Sequence, residues 1–202
     1  AAYGMRSTTN GSLGLHLSEG HWTTPIDQSV LGNGKWGLNA VTNTYYTAPT
    51  LGAGIDNVYR FGGYNGATLA ITTSGALSGS ASVDIGRSHV LAGQNPGYTE
   101  AVVRFYGDQT YTGATNIYRE ADAGSVGSIL ELTGNSASSV FNVYGRLTLR
   151  GDGRVTDDAG NQTNVVNLMP GGNLRLDYNM DVNDNFIISR LENSNLGLAT
   201  DE

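Results

Sequence analysis

The chain repeats one short phrase: a glycine, then a strand in which leucine or isoleucine alternates with other residues, closed where the phrase is clearest by a glycine-aspartate turn. That clearest copy is Gly145-Arg146-Leu147-Thr148-Leu149-Arg150-Gly151-Asp152-Gly153. Others are Gly66-Ala67-Thr68-Leu69-Ala70-Ile71, Gly127-Ser128-Ile129-Leu130-Glu131-Leu132 and Gly172-Asn173-Leu174-Arg175-Leu176, with a looser copy at 12–17. Repetition of one strand-turn unit marks a chain that stacks copies of itself, because no copy can bury its apolar face alone. The first leucines of the phrase are Leu69, Leu130, Leu147, Leu174 and Leu196, at gaps of 61, 17, 27 and 22. With 61 taken as three units, the period is about 20 residues. A flat meander has no reason to hold such a spacing, whereas a solenoid coil does. Within a coil, alternation sends Leu147 and Leu149 inward and Arg146, Thr148 and Arg150 outward. The stack is expected to depend on those two leucines.

Composition agrees with an all-β chain. Glycine, at 29 of 202 residues, is about twice its average usage of roughly 7%. Proline is scarce at 4 and only 14% of residues are charged. With 39% hydrophobic residues in regular alternation, the chain can form a core and is not disordered. No window keeps helical apolar spacing without a glycine or an asparagine-threonine cluster interrupting it. Twelve short strands are read instead, at 37–41, 58–61, 68–72, 82–85, 101–106, 115–118, 129–133, 140–143, 146–150, 164–168, 173–177 and 186–188. Residues 1–60 are less regular and are read as an N-terminal cap or irregular first coils. Residues 61–202 are read as the regular stack. No linker divides them, so a single continuous domain is expected.

The net charge of −7 and pI near 4.8 argue against nucleic acid as partner, since phosphate recognition needs clustered Lys and Arg. No apolar run approaches the roughly 18–20 residues needed to span a bilayer as a helix. The chain has no cysteine, which excludes a disulfide scaffold and suits exported bacterial surface proteins. It starts Ala1-Ala2-Tyr3, so either a leader has been removed or the chain is a piece of something longer.

The run Gln109-Thr110-Tyr111-Thr112-Gly113-Ala114-Thr115-Asn116-Ile117 resembles the tyrosine-threonine-glycine-alanine-threonine signature of the autotransporter-associated β-strand repeat family. After an insertion at 118–126 comes a glycine-x-leucine-x-leucine element at 127–132. Gly171–Asp177, followed by Val182-Asn183 and Ser189-Arg190-Leu191, is similar to a companion phrase of such passengers. The resemblance covers roughly 61–202. It implies a right-handed parallel β-helix, exported and displayed at or released from a bacterial cell surface. It also implies a passenger fragment of a larger protein, since no C-terminal barrel segment follows.

Few residue patterns carry chemistry. His16, His21 and His89 lack zinc-helix spacing, and no cysteine completes a thiolate site, so no metal or cofactor is expected. Nucleophile motifs are missing. Parallel β-helices include polysaccharide lyases and hydrolases, and the carboxylates Asp152, Asp157, Asp158, Asp177, Asp181 and Asp184 are the candidates for such work. Stacked coils would bring Asp152 and Asp177 onto neighbouring turns, but aspartates amid Gly and Asn commonly form Asx-turns. Asp181-x-Asn183-x-Asn185 with Ser189 and Glu192 has EF-hand spacing, yet Phe186 stands where glycine is needed. Gly52–Val58 resembles one calcium nonapeptide without a tandem copy.

Aromatic residues concentrate between 45 and 118. Outward-facing ones would form a platform for sugar rings or a partner protein, and Tyr45, Tyr46 and Tyr64 are read as the exposed contacts. The chain is therefore read as a non-enzymatic, extracellular structural or adhesive β-solenoid. Its partner would be a protein or a glycan, with self-association a further mode. The rival reading is a carbohydrate-active or carbohydrate-binding β-helix.

Overall fold

The computed structural model describes residues 12–17, 20–62, 66–86, 101–119, 127–155, 165–177 and 195–198. Chain order begins β1 (Ser12–Leu15), β2 (Gly20–Trp22), β3 (Ile26–Asp27), β4 (Gly37–Ala40), β5 (Thr44–Tyr46) and β6 (Leu51–Gly52). It continues β7 (Val58–Phe61), β8 (Thr68–Ile71), β9 (Ser82–Ile85), β10 (Val102–Phe105), β11 (Thr115–Ile117) and β12 (Ile129–Leu132). The last strands are β13 (Val140–Val143), β14 (Arg146–Arg150), β15 (Val165–Leu168), β16 (Asn173–Asp177) and β17 (Asn195–Leu198). Three short 3₁₀ turns at 28–30, 32–34 and 55–57 are the helical elements among the described residues.

All named strand pairings are parallel, and from β7 onward successive strands alternate between two walls. Wall A has eight strands in the order β1-β4-β7-β9-β11-β13-β15-β17, and wall B has seven, β2-β5-β8-β10-β12-β14-β16. A third side closes each coil. It holds the pair β3-β6 and, further along, isolated parallel bridges Gln109–Ser136 and Asn135–Arg154. The molecule is a β-solenoid, as the repeated phrase predicts.

Side chains stack in columns because the strands are parallel and in register. On wall B one inward column runs Thr44, Leu69, Val103, Leu130, Leu147, Leu174. The next runs Tyr46, Ile71, Phe105, Leu132, Leu149, Leu176. Wall A faces them with Leu38, Phe61, Ile85, Ile117, Val143 and Leu168. Both Leu147 and Leu149 are fully buried. Phe105 meets Phe61 and Tyr111 edge-on, with ring centroids 6.3 Å apart in each case.

The register corrects the period. Leu69 and Leu130 are separated by one intervening rung, Val103, so their gap of 61 is two coils and not three. Wall A steps of 23 residues (Leu38 to Phe61) and 32 (Ile85 to Ile117) show a coil nearer 25 residues with insertions. Leu196 belongs to the other wall, in β17. The looser copy at 12–17 also supplies a wall A strand, β1. Within 12–60 the strands β1 to β6 already lie on the coil's walls, and residue 60 falls inside β7. Eleven of the twelve predicted strands are present within a residue or two, and 186–188 lies outside the described residues.

Corners differ in how they hold length. Between wall B and the third side, threonines bind carbonyls of the previous coil: Thr47 Oγ1 to Trp22 at 3.3 Å, Thr72 Oγ1 to Tyr46 at 3.2 Å and Thr133 Oγ1 to Phe105 at 3.1 Å. Between walls A and B the connection shrinks to Tyr144-Gly145 after β13 and lengthens to 86–101 after β9. Gly145 and Gly153 have close backbone neighbours. A Cβ on Gly145 would lie 2.2 Å from the Ser128 carbonyl, and one on Gly153 would lie 2.0 Å from that of Leu132. The buried Gln28 gives and takes one bond each with the Arg60 backbone (2.8 and 2.9 Å), completing a rung with its side chain. The Tyr111 hydroxyl lies 2.7 Å from Thr115 Oγ1 and accepts from Ser136, and burial pushes its pKa up to about 12.

Truncating Leu147 to Ala leaves a void between two coils and is expected to cost about 2–5 kcal/mol, while Leu147→Asp also buries a charge and costs more. Urea denaturation checks this; an unchanged midpoint for Leu147→Asp would refute the register.

Candidate functional site

The outward columns carry the chemistry. The position between the two inward residues of each wall B strand reads His21, Tyr45, Ala70, Arg104, Glu131, Thr148, Arg175. Rungs are about 4.8 Å apart, which puts long side chains within reach of their neighbours along the axis. The ring of His21 stacks on Tyr45, with centroids 5.2 Å apart and planes at 19°. Arg104 forms a two-pronged ion pair with Glu131 on the next coil and donates to the Tyr106 hydroxyl at 2.9 Å. Beyond it, Arg150 lies 3.7 Å from Glu131 and donates through Nε to Asp177 at 3.0 Å, and Arg175 lies 3.4 Å from Asp177. The result is an alternating ladder of cations and carboxylates across four coils. Burial opposes the Arg104 charge, but the bond to Tyr106 and the Glu131 carboxylate outweigh it and raise its pKa. Hydrogen bonding from Arg150, helped by the charges of Arg150 and Arg175, holds the Asp177 carboxyl below its ordinary value.

Ala70 interrupts the column. Its methyl, between Tyr45 and Arg104, leaves a shallow depression of about 190 Å³ lined by Asn43, Thr44, Tyr45, Thr68, Ala70 and Arg104. Asn43 is fixed at the rim by accepting the Thr68 backbone N–H at 3.0 Å.

Wall A carries a second outward column, of amides. Asn116 Nδ2 donates to Asp84 (2.9 Å), Asn142 Nδ2 to Asn116 Oδ1 (2.8 Å) and Asn167 Nδ2 to Asn142 Oδ1 (3.0 Å), so all point the same way along the axis. Beside it Tyr118 and Tyr144 stack with centroids 6.0 Å apart and planes at 8°.

Of the residues read from sequence as contacts, Tyr45 is partly exposed and lines the depression. Tyr46 is corrected. Strand alternation turns it inward, it is fully buried, and its hydroxyl accepts from Ile26 N (2.9 Å) and donates to the Thr50 carbonyl (2.7 Å). Burial raises its pKa. Tyr64, His89, Asp157, Asp158, Asp181 and Asp184 lie outside the described residues. Asp152 and Asp177 do fall on neighbouring coils, with Asp177 in register with Arg150 and ion-paired to it. In the calcium-like segment, Asp56 sits in a left-handed turn (φ 63°) and lies 3.8 Å from Arg60. Arg104, Glu131, Arg150 and the amide column were not singled out from sequence, although the middle position of each Leu-x-Leu phrase carried the signal.

Among the described residues no cluster of His, Asp and Glu could hold a metal ion, and no helix is long and apolar enough to cross a membrane. Fold and surface together define a β-solenoid with two ordered outward ladders. The chain matches no family model, no curated protein and no solved structure.

Two measurements test the ladders. Because the Asp177 pKa is depressed in the folded state, its stabilising contribution is complete above the ordinary Asp range near 3.9 and is lost as pH falls through its folded value. Melting temperatures of wild type should therefore fall more steeply below about pH 4 than those of Asp177→Asn; identical profiles would argue against the ion ladder. Asn142→Ala deletes two amide bonds of a half-buried column and is expected to cost about 1–2 kcal/mol in urea denaturation. No measurable loss would mean that water replaces the column at no cost.

Proposed function

We propose that this chain is a non-enzymatic structural or adhesive element, exported and displayed at the outer surface of a bacterial cell as a passenger fragment of a larger protein. The observation that carries the reading is the outer face of wall B. It carries a stacked aromatic pair, His21 and Tyr45, and a ladder of ion pairs from Arg104 to Arg175, set apart by a shallow depression at Ala70. Such a face stiffens the rod and offers an extended contact to a protein or glycan partner, or to another copy of the chain.

For catalysis on polysaccharide, the ladder bears on one candidate carboxylate, Asp177. Glycoside hydrolysis needs one carboxyl held protonated by a raised pKa, whereas Asp177 is shifted the opposite way by Arg150. Export is supported by the absence of cysteine and by the resemblance of 109–117 and 171–191 to passenger repeats. Antibody should label intact producing cells, and external protease should remove the signal. Labelling that appears only after permeabilisation would overturn the surface reading, and release of reducing ends from a polysaccharide panel would overturn the non-enzymatic one.

A further inference from the structure

Wall A is uncharged from β11 onward: β11, β13, β15 and β17 contain not one charged residue. On wall B, β10, β12, β14 and β16 each hold at least one. Alternation sets what these wall A strands show to the outside. Phe141 and Val143 are fully buried, so Val140, Asn142 and Tyr144 face outward. Register places Val165 and Asn167 beside Val140 and Asn142 on the next rung, and Asn116 beside Asn142 on the rung before. Tyr118 stacks on Tyr144, which is exposed. The result is a flat, partly exposed strip with amides along the middle, valines on one side and tyrosines on the other.

The amides are held in one orientation and are not used up. Asp84 stands at the foot of the column, and a carboxylate can only accept. Asn116 therefore turns its N–H towards it, and Asn142 and Asn167 follow. Along the axis Asn116 and Asn142 each spend one N–H and one carbonyl lone pair. Each keeps a second N–H and a second lone pair, and these repeat from rung to rung, about 4.8 Å apart.

Size and spacing decide what such a strip holds. Three rungs of five residues cover about 14 by 16 Å, well below the roughly 800 Å² per partner of a stable protein interface. A polypeptide strand laid along the axis advances about 3.3 Å per residue and falls out of step with the rungs. Polyelectrolytes of either sign gain no counter-charge from the strip, and polyanions also meet a net charge of −7. A neutral polysaccharide fits on each count. Its hydroxyls both donate and accept, and its C–H faces suit the tyrosine and valine sides. An extended chain of equatorially linked pyranoses advances by close to one rung per sugar.

We infer that the outer strip of wall A from Asn116 to Asn167 binds one chain of a neutral polysaccharide lying along the solenoid axis. The inference rests on the adhesive reading of the chain and gives it a site and a ligand class. Asn116, Asn142 and Asn167 bond the hydroxyls of successive sugars, and Tyr144 packs against the C–H face of one of them.

The test is titration of the isotope-labelled protein with neutral gluco-, manno- and xylo-oligosaccharides of increasing length, beside uronate oligomers, read on the side-chain amide resonances of the three asparagines. At least one neutral series should shift them, with affinity rising to about three sugars, one per rung, and then levelling off. Tyr144→Ala and Asn142→Thr should each weaken binding about tenfold, the worth of one stacking contact or of two neutral hydrogen bonds, while circular dichroism shows that both are folded. No shift with any neutral series, stronger shifts with uronates, or equal binding by both variants would overturn the strip. Cells bound equally by wild type and both variants would also overturn it and leave the adhesive reading standing. A protein that binds neither oligosaccharides nor cells sinks both.

Discussion

Parallel, in-register stacking is the constraint from which the rest of this structure follows. Each side chain has its counterparts about 4.8 Å above and below, so the question at every position is what tolerates its own neighbour at that distance. Hydrocarbon does, and the inward columns of leucine, isoleucine, valine and phenylalanine are fully buried through Leu147 and Leu149, with Leu174 and Leu176 packed partly buried at the end. Like charges do not, and outward side chains from two adjacent columns alternate in sign: Arg104, Glu131, Arg150, Asp177 and Arg175 form one chain of ion pairs. Amides tolerate themselves because each is both donor and acceptor, and Asn116, Asn142 and Asn167 use that property. Aromatic rings tolerate themselves by stacking, as His21 with Tyr45 and Tyr118 with Tyr144 do.

Stability and surface chemistry are thus consequences of one repeat. A charged side chain that binds its neighbour along the axis is no longer free to meet solvent or a ligand. A column can also break, and the Ala70 position is such a break, between an aromatic stack and an ion ladder. That explains why the described surface offers a small depression there while the carboxylates around it are engaged with arginine.

The strands were legible from sequence because alternation within four or five residues is a local property. Leu69, Leu130, Leu147 and Leu174 do form one column. The coil length was not legible. The Val103 rung lacks the glycine-led leucine phrase, and insertions of unequal size between walls A and B blur the period. Nor did proximity in sequence reveal the ladders: Arg104 meets Glu131 and Arg150 meets Asp177 each across 27 residues, a pairing visible only once the register is known. Tyr45 and Tyr46 show the limit from the other side. Adjacent residues of one type were grouped as a single exposed patch, yet a strand must send them to opposite faces, and the hydroxyl of Tyr46 finds its partners inside.

The uneven corners carry a consequence for how such a chain changes over time. Where wall B meets the third side, threonine hydroxyls clasp the coil before, and the connections stay short. Where wall A meets wall B, the connection runs from two residues, Tyr144-Gly145, to the stretch 86–101, while the strands on either side remain in register. Length at that edge is uncoupled from pitch. A segment there can lengthen without re-threading the core, so the strands form a fixed frame and the edge between walls A and B a margin of adjustable length.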